Sequence, residues 1–100
     1  MRQEIRGEGT GEAISHYTDA VRFGDLLFIS GIPGFDGQGN LPATFEAQFA
    51  NVVTNIKRIL DEAGGTMRDL VKVNVLLTRA SDVAPMNALY ASALGPAPYP

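Results

Sequence analysis

Residues 20 to 30 read Ala20-Val21-Arg22-Phe23-Gly24-Asp25-Leu26-Leu27-Phe28-Ile29-Ser30, two β-prone runs separated by a Gly-Asp pair. Two turn-forming residues between two such runs predict a tight β-hairpin. The second run, Leu26 to Ile29, is apolar throughout and does not alternate, which predicts a strand covered on both faces and lying inside its sheet.

Toward the C-terminus, Gly31 to Asn40 holds four glycines and Pro33 and reads as a loop, with its turn at Asp36-Gly37-Gln38-Gly39-Asn40. Thr44 is placed to cap a helix, and Glu46 then falls in the first turn, where a negative charge suits the helix dipole. Phe45, Phe49, Val52, Val53, Ile56, Ile59, Leu60 and Ala63 recur at three- and four-residue steps and make one apolar stripe. Gly64-Gly65 ends that helix.

Leu70 to Leu77 follows with Val71, Val73, Val75 and Leu77 on one side and Lys72 and Asn74 on the other, the period of a strand. Ser81 or Asp82 can cap a second helix, whose Val83, Met86, Leu89, Tyr90 and Ala93 form another stripe closed by Gly95. Toward the N-terminus, Gln3 to Arg6 is a short first strand, and Gly7 to Gly11 is too rich in glycine to hold regular structure cheaply. The predicted order is β-β-β-α-β-α. The closing Gly95-Pro96-Ala97-Pro98-Tyr99-Pro100 has the composition of a connection, because its prolines lack amide donors. A sheet that leaves an edge open calls for further strands, so residues 1–100 are expected to be one domain, C-terminally incomplete, from a unit of about 120 to 130 residues.

Composition narrows the chemistry. The chain has no cysteine and one histidine, His16, which leaves disulfides, thiolate catalysis and Cys- or His-based metal clusters without ligands. No run approaches the ~20 apolar residues of a bilayer span, and the N-terminus is polar and Glu-rich, so the protein reads as soluble and cytoplasmic, without membrane contact. A net charge of −3, with no basic cluster longer than Lys57-Arg58, disfavours nucleic acid as a partner. Arg68, Lys72 and Arg79 read as scattered surface charges unless the fold gathers them.

Several stretches together resemble one family. Ala13-Ile14-Ser15-His16-Tyr17 followed by Ala20-Val21-Arg22 and Gly24 to Gly31 is similar to the N-terminal signature of the RidA (YjgF, endoribonuclease L-PSP) family. Glu46-Ala47-Gln48, Asn55-Ile56-Lys57, Ala63-Gly64-Gly65, Val71 to Val75 and Met86-Asn87-Ala88-Leu89-Tyr90 resemble its helices and following strand, so the likeness runs from Ala13 to Pro100. It implies an α+β, chorismate mutase-like fold, a mostly antiparallel six-stranded sheet backed by two helices. It also implies a homotrimer with a pocket in each subunit interface, and hydrolysis of reactive enamines or imines to a keto acid and ammonia without metal or organic cofactor.

The resemblance assigns substrate-binding positions to Tyr17, Ser30, Gly31 and Asn87. Read as residues alone, each stays open: Tyr17 could be a phenol donor or an edge packer, and Ser30 could face a ligand beside Gly31 or bond its own loop. Asn87 could reach a ligand or a neighbouring backbone. His16 reads as a loop residue without a carboxylate partner in sequence, and Glu46 as a helix-start charge. The arginine that holds the substrate carboxylate in the family, and the glutamate associated with its water, are expected beyond Pro100, so the catalytic residues are unknown. Arg22 or Arg79 could replace that arginine only if the fold aims one at the pocket. Ile32 and Pro33-Gly34-Phe35 depart from the family pattern and imply a different pocket shape. The other readings are a trimer that binds a small carboxylate without turnover, and a ribonuclease or translation inhibitor.

Overall fold

The computed structural model describes residues 1–7 and 17–100. The Gly-rich stretch after Gly7, and Ala13 to His16, lie outside the described residues. The elements are β1 (Gln3–Ile5), β2 (Ala20–Phe23), β3 (Leu26–Ile29), α1 (Phe45–Ala63) and α2 (Val83–Leu94), with 3-10 turns at Met67–Asp69 and Ala80–Asp82. The class is α+β, an antiparallel sheet in the order β1-β2-β3 with two helices, as the sequence predicts.

The hairpin forms where expected. Phe23 pairs with Leu26 and Ala20 with Ile29, and Gly24 alone of the two turn residues takes a positive φ, 61°, as a type II′ turn requires. Opposed residues share a sheet face, so Ile5, Ala20, Leu27 and Ile29 point one way. They meet Ile59 and Ala63 of α1. Val21, Phe23, Leu26 and Phe28 point the other way.

Two of the predicted strands differ from expectation. Among the described residues β3 has one ladder partner, β2, and Leu26 and Phe28 are 59% and 60% exposed, so it is an edge strand with one open face. A continuous apolar run reports that a strand is meant to be covered, and the described residues leave that cover unfilled at β3. The segment 70–77 forms no ladder. It begins extended at Leu70 and ends extended at Arg79. Val73 and Leu77 are half-buried while Val71 is 87% and Leu76 95% exposed. Alternation marks a face, but a strand exists only through the hydrogen bonds of a neighbour.

Helix α1 has both expected ends. Thr44 Oγ1 accepts from Ala47 N at 3.2 Å. At the other end Gly64 sits at φ 81°, its N–H donates to Asp61 O, and Gly65 N donates to Leu60 O at 2.8 Å, a Schellman arrangement. Arg22 reaches across from β2 and donates to Ala63 O, supplying the orphan carbonyls of α1 with a cation. α2 starts differently from expectation: Asp82 is its cap residue but makes no side-chain cap bond. Its buried contact is Leu94, outside the predicted stripe, while Val83 is 46% exposed. The closing segment is fastened by Arg68 Nη1, which donates to Pro96 O at 3.0 Å, and by Tyr90 Oη, which donates to Pro100 O at 2.7 Å.

Candidate functional site

The apolar stripe of α1 has two fates. In its C-terminal part Ile59 and Leu60 are buried, Ile59 in the core beneath the sheet, and Ala63 packs against that core. Its N-terminal part, Phe45, Phe49, Val52, Val53 and Ile56, floors an open cleft of about 740 Å³. One wall is the end of β3 with the loop from Ser30 to Phe35, and the other is the extended segment from Leu70 to Arg79. A mainly apolar cavity of this size with a few polar groups at its edge is the usual form of a small-molecule site.

Two of the four sequence-assigned positions, Ser30 and Gly31, line this cleft. Ser30 Oγ donates to Thr18 O at 2.6 Å and Ser30 N donates to Asp19 O at 2.9 Å. The hydroxyl proton is therefore committed, which leaves the Ser30 oxygen as an acceptor. Gly31 is open: a methyl group built there would meet no atom within 4 Å. Tyr17 and Asn87 are exposed and do not line the cleft. Thr18, next in sequence, is tied to Ser30, whose hydroxyl its carbonyl takes, and its own hydroxyl donates to Glu4 Oε1 at 2.9 Å. That hydroxyl, followed by Arg6 at 2.6 Å, holds the Glu4 carboxyl below its ordinary value.

Of the two arginines considered as carboxylate holders, Arg22 is engaged with Ala63 O, whereas Arg79 lines the cleft. Its Nε lies 3.4 Å from Asp82 Oδ2, with the arginine side chain 67% exposed. The Asp82 side chain is only 14% exposed, so the pair is partly enclosed, and the exposed end of the guanidinium is what a second carboxylate can reach while Asp82 stays paired. Lys72 and Asn74 add further polar groups to the same wall. Among the described residues no three His, Asp or Glu side chains gather as a metal site, and no helix is long and apolar enough to cross a membrane.

The loop wall carries its own fastening, which the sequence reading missed. Gln48 Nε2 donates to Pro42 O at 2.7 Å, Asn51 Nδ2 to Gly34 O at 3.1 Å and Asn55 Nδ2 to Phe35 O at 3.0 Å. The signal was available: three amides at 48, 51 and 55 fall on one side of α1, beside its apolar stripe. The turn beyond them is held by Asp36, whose Oδ1 accepts from Gln38 N at 2.8 Å and Asn40 N at 2.9 Å. Those amides, Asn40 first, keep its carboxyl below the ordinary 3.8.

Residues 9–100 match the family model described as Endoribonuclease L-PSP. A RutC family protein of Haemophilus influenzae is 38% identical over 91 residues, 90% of this chain and 70% of the relative. The 2-iminobutanoate/2-iminopropanoate deaminase of Escherichia coli is 34% identical over 91 residues, 90% of this chain and 71% of that protein. The crystal structure of RidA from Psychrobacter sp. PAMC 21119 superposes with a TM-score of 0.91 at 39% identity, covering 98% of this chain and 80% of that one.

Proposed function

The chain belongs to the endoribonuclease L-PSP family, which includes the RidA proteins, and from that premise we propose that it hydrolyses small enamines or imines derived from amino acids to a keto acid and ammonia. The observation that carries the reading is the Ser30-Gly31 rim of an apolar cleft that also holds Arg79, in a chain related to a named imine deaminase. In this reading Arg79 holds the substrate carboxylate, Ser30 accepts a hydrogen bond from water or the imine N–H, and the α1 floor takes the substrate side chain. Water adds its oxygen to the C=N carbon while the nitrogen takes a proton. The C–N bond then breaks, ammonia leaves, and the carbinol becomes the keto group. Tyr17 and Asn87 contribute from the surface as a neighbouring copy completes each pocket in a cytoplasmic homotrimer. Sedimentation as a single chain at micromolar concentration would count against that last element.

One feature favours a second reading, in which the cleft binds a keto acid without turnover. Its one carboxylate, Asp82, is paired with Arg79, so the described residues offer no free general base there. A ribonuclease reading has weaker support, because Arg22 and Arg68 donate to backbone carbonyls and do not form a basic stripe. The deaminase and binding readings share a site, and an NMR titration with 2-oxobutanoate tests it. Shifts concentrated at Ser30, Gly31 and Arg79 are expected; shifts confined to α2 or to the Asp36 turn would contradict this placement.

A further inference from the structure

The two-residue turn fixes which way each amide of β3 points. Phe23 and Leu26 flank that turn and pair with each other, so they exchange both backbone bonds, and Leu26 and Phe28 face β2. The alternation continues at Ser30, whose N–H donates to Asp19 O. Leu27 and Ile29 therefore turn their N–H and C=O groups the other way, to the open edge, where among the described residues no strand receives them. On the opposite wall Lys72 to Arg79 line the cleft consecutively, so that wall is a backbone edge and not a row of alternate side chains. From Val71 to Leu77 this backbone makes no hydrogen bond to other backbone groups of the described residues. Two unpaired edges thus border one floor, which includes Val52, Val53 and Ile56. An edge of this kind is a template for a further strand, and an apolar floor is what the covered face of such a strand needs.

We infer that the space between β3 and segment 70–77 is the seat of further β-structure from this protein's own chain, in residues that follow Pro100. Tyr90 lines the cleft and its hydroxyl donates to Pro100 O at 2.7 Å, so the backbone at residue 100 is held beside the seat. Arg68, just before segment 70–77, fixes the approach by donating to Pro96 O. The aligned residues make up 70 and 71% of the Haemophilus influenzae and Escherichia coli relatives, so chains of this family have the length to fill it. The occupant carries apolar residues at alternate positions, which bury against Val52, Val53 and Ile56, while its backbone bonds Leu27 and Ile29 on one side and segment 71–77 on the other. β3 then becomes an inner strand, the covered place its apolar run calls for. Phe45 and Phe49 lie instead beside the loop from Ser30 to Phe35, where Gly34 stands against Gln48. With Ser30, Gly31 and Arg79, at the ends of the two edges, they remain at the mouth of the cleft, so the seat is independent of which small molecule the mouth receives.

The test follows amide exchange by NMR in the 100-residue chain and in the same chain continued by the residues its gene encodes after Pro100. In the shorter chain Leu26 and Phe28 are expected to exchange slowly, and Leu27, Ile29 and residues 71–77 fast. In the continued chain Leu27, Ile29 and alternate amides of 71–77 are expected to slow on the order of tenfold or more, independently of concentration. A gene that stops at Pro100, or a continued chain in which these amides stay fast while Phe28 is protected, overturns the inference. So does protection that appears in the shorter chain as its concentration rises, which gives the seat to a second copy. Asn74→Pro and Val75→Pro supply a second measurement, because neighbours in an extended segment aim their N–H groups to opposite sides and one of the two removes a donor from the seat. Both are expected to leave the urea midpoint of the shorter chain unchanged. One of them is expected to lower the folding equilibrium constant of the continued chain about tenfold, the worth of one ladder bond. A continued chain that tolerates both prolines overturns the inference, and its exchange pattern decides the matter whether or not the shorter chain folds.

Discussion

At Ser30 the hydroxyl partner lies outside the loop that its sequence suggests. Its hydroxyl bonds the backbone of Thr18, as a strand-ending serine does, and its oxygen still lines the cleft. Sequence could place it at the end of β3 but not decide what stood opposite, because Thr18 is twelve residues away. Arg79 was legible only as a charge; its place at the cleft follows from the path of the segment before it. If it holds a carboxylate there, Arg79→Met should weaken 2-oxobutanoate binding about tenfold or more, as expected for a charge-assisted bond. Affinity within twofold of wild type, measured by the same titration, would remove it from the site. Asp36 carries a pH prediction. Its folded carboxyl titrates below 3.8, so the turn gains stability from it above that value and loses this as pH falls through the lower folded value. The amide proton shifts of Gln38 and Asn40 should move together with one midpoint below 3.8; a midpoint at or above it would show that the carboxylate is not held by these amides.

At the scale of elements, legibility follows the range of the interactions. α1 was readable from end to end because Thr44, the apolar stripe and Gly64-Gly65 act within a few residues of one another. Gly64→Ala should cost about 1 to 2 kcal/mol, the penalty of a Cβ in the left-handed region. Urea unfolding with an unchanged slope and a lower midpoint is the expected result, and an unchanged midpoint would mean the helix end rearranges freely. The hairpin was equally local. Segment 70–77 was not, since its alternation is consistent with a strand while the ladder depends on a neighbour that no local pattern specifies. The amide row of Gln48, Asn51 and Asn55 lay in plain sight on the helix, yet its partners are loop carbonyls reached only in three dimensions.

At the scale of the whole molecule, the described residues leave apolar both the cleft over α1 and the sheet face of Phe23, Leu26 and Phe28, each of these three about 60% exposed. Contiguous apolar surface of this sort marks contact with a ligand or another chain. The proposed trimer would cover the sheet face and bring a neighbouring copy to the mouth of the cleft, completing the pocket there. The most direct test of the deaminase reading is ammonia release from 2-aminoacrylate generated in situ, followed with and without the protein. Acceleration proportional to protein concentration, with one pyruvate formed per ammonia, is the expected result; a rate equal to the spontaneous one, from folded protein that still binds 2-oxobutanoate, would contradict it and leave a binding protein in its place.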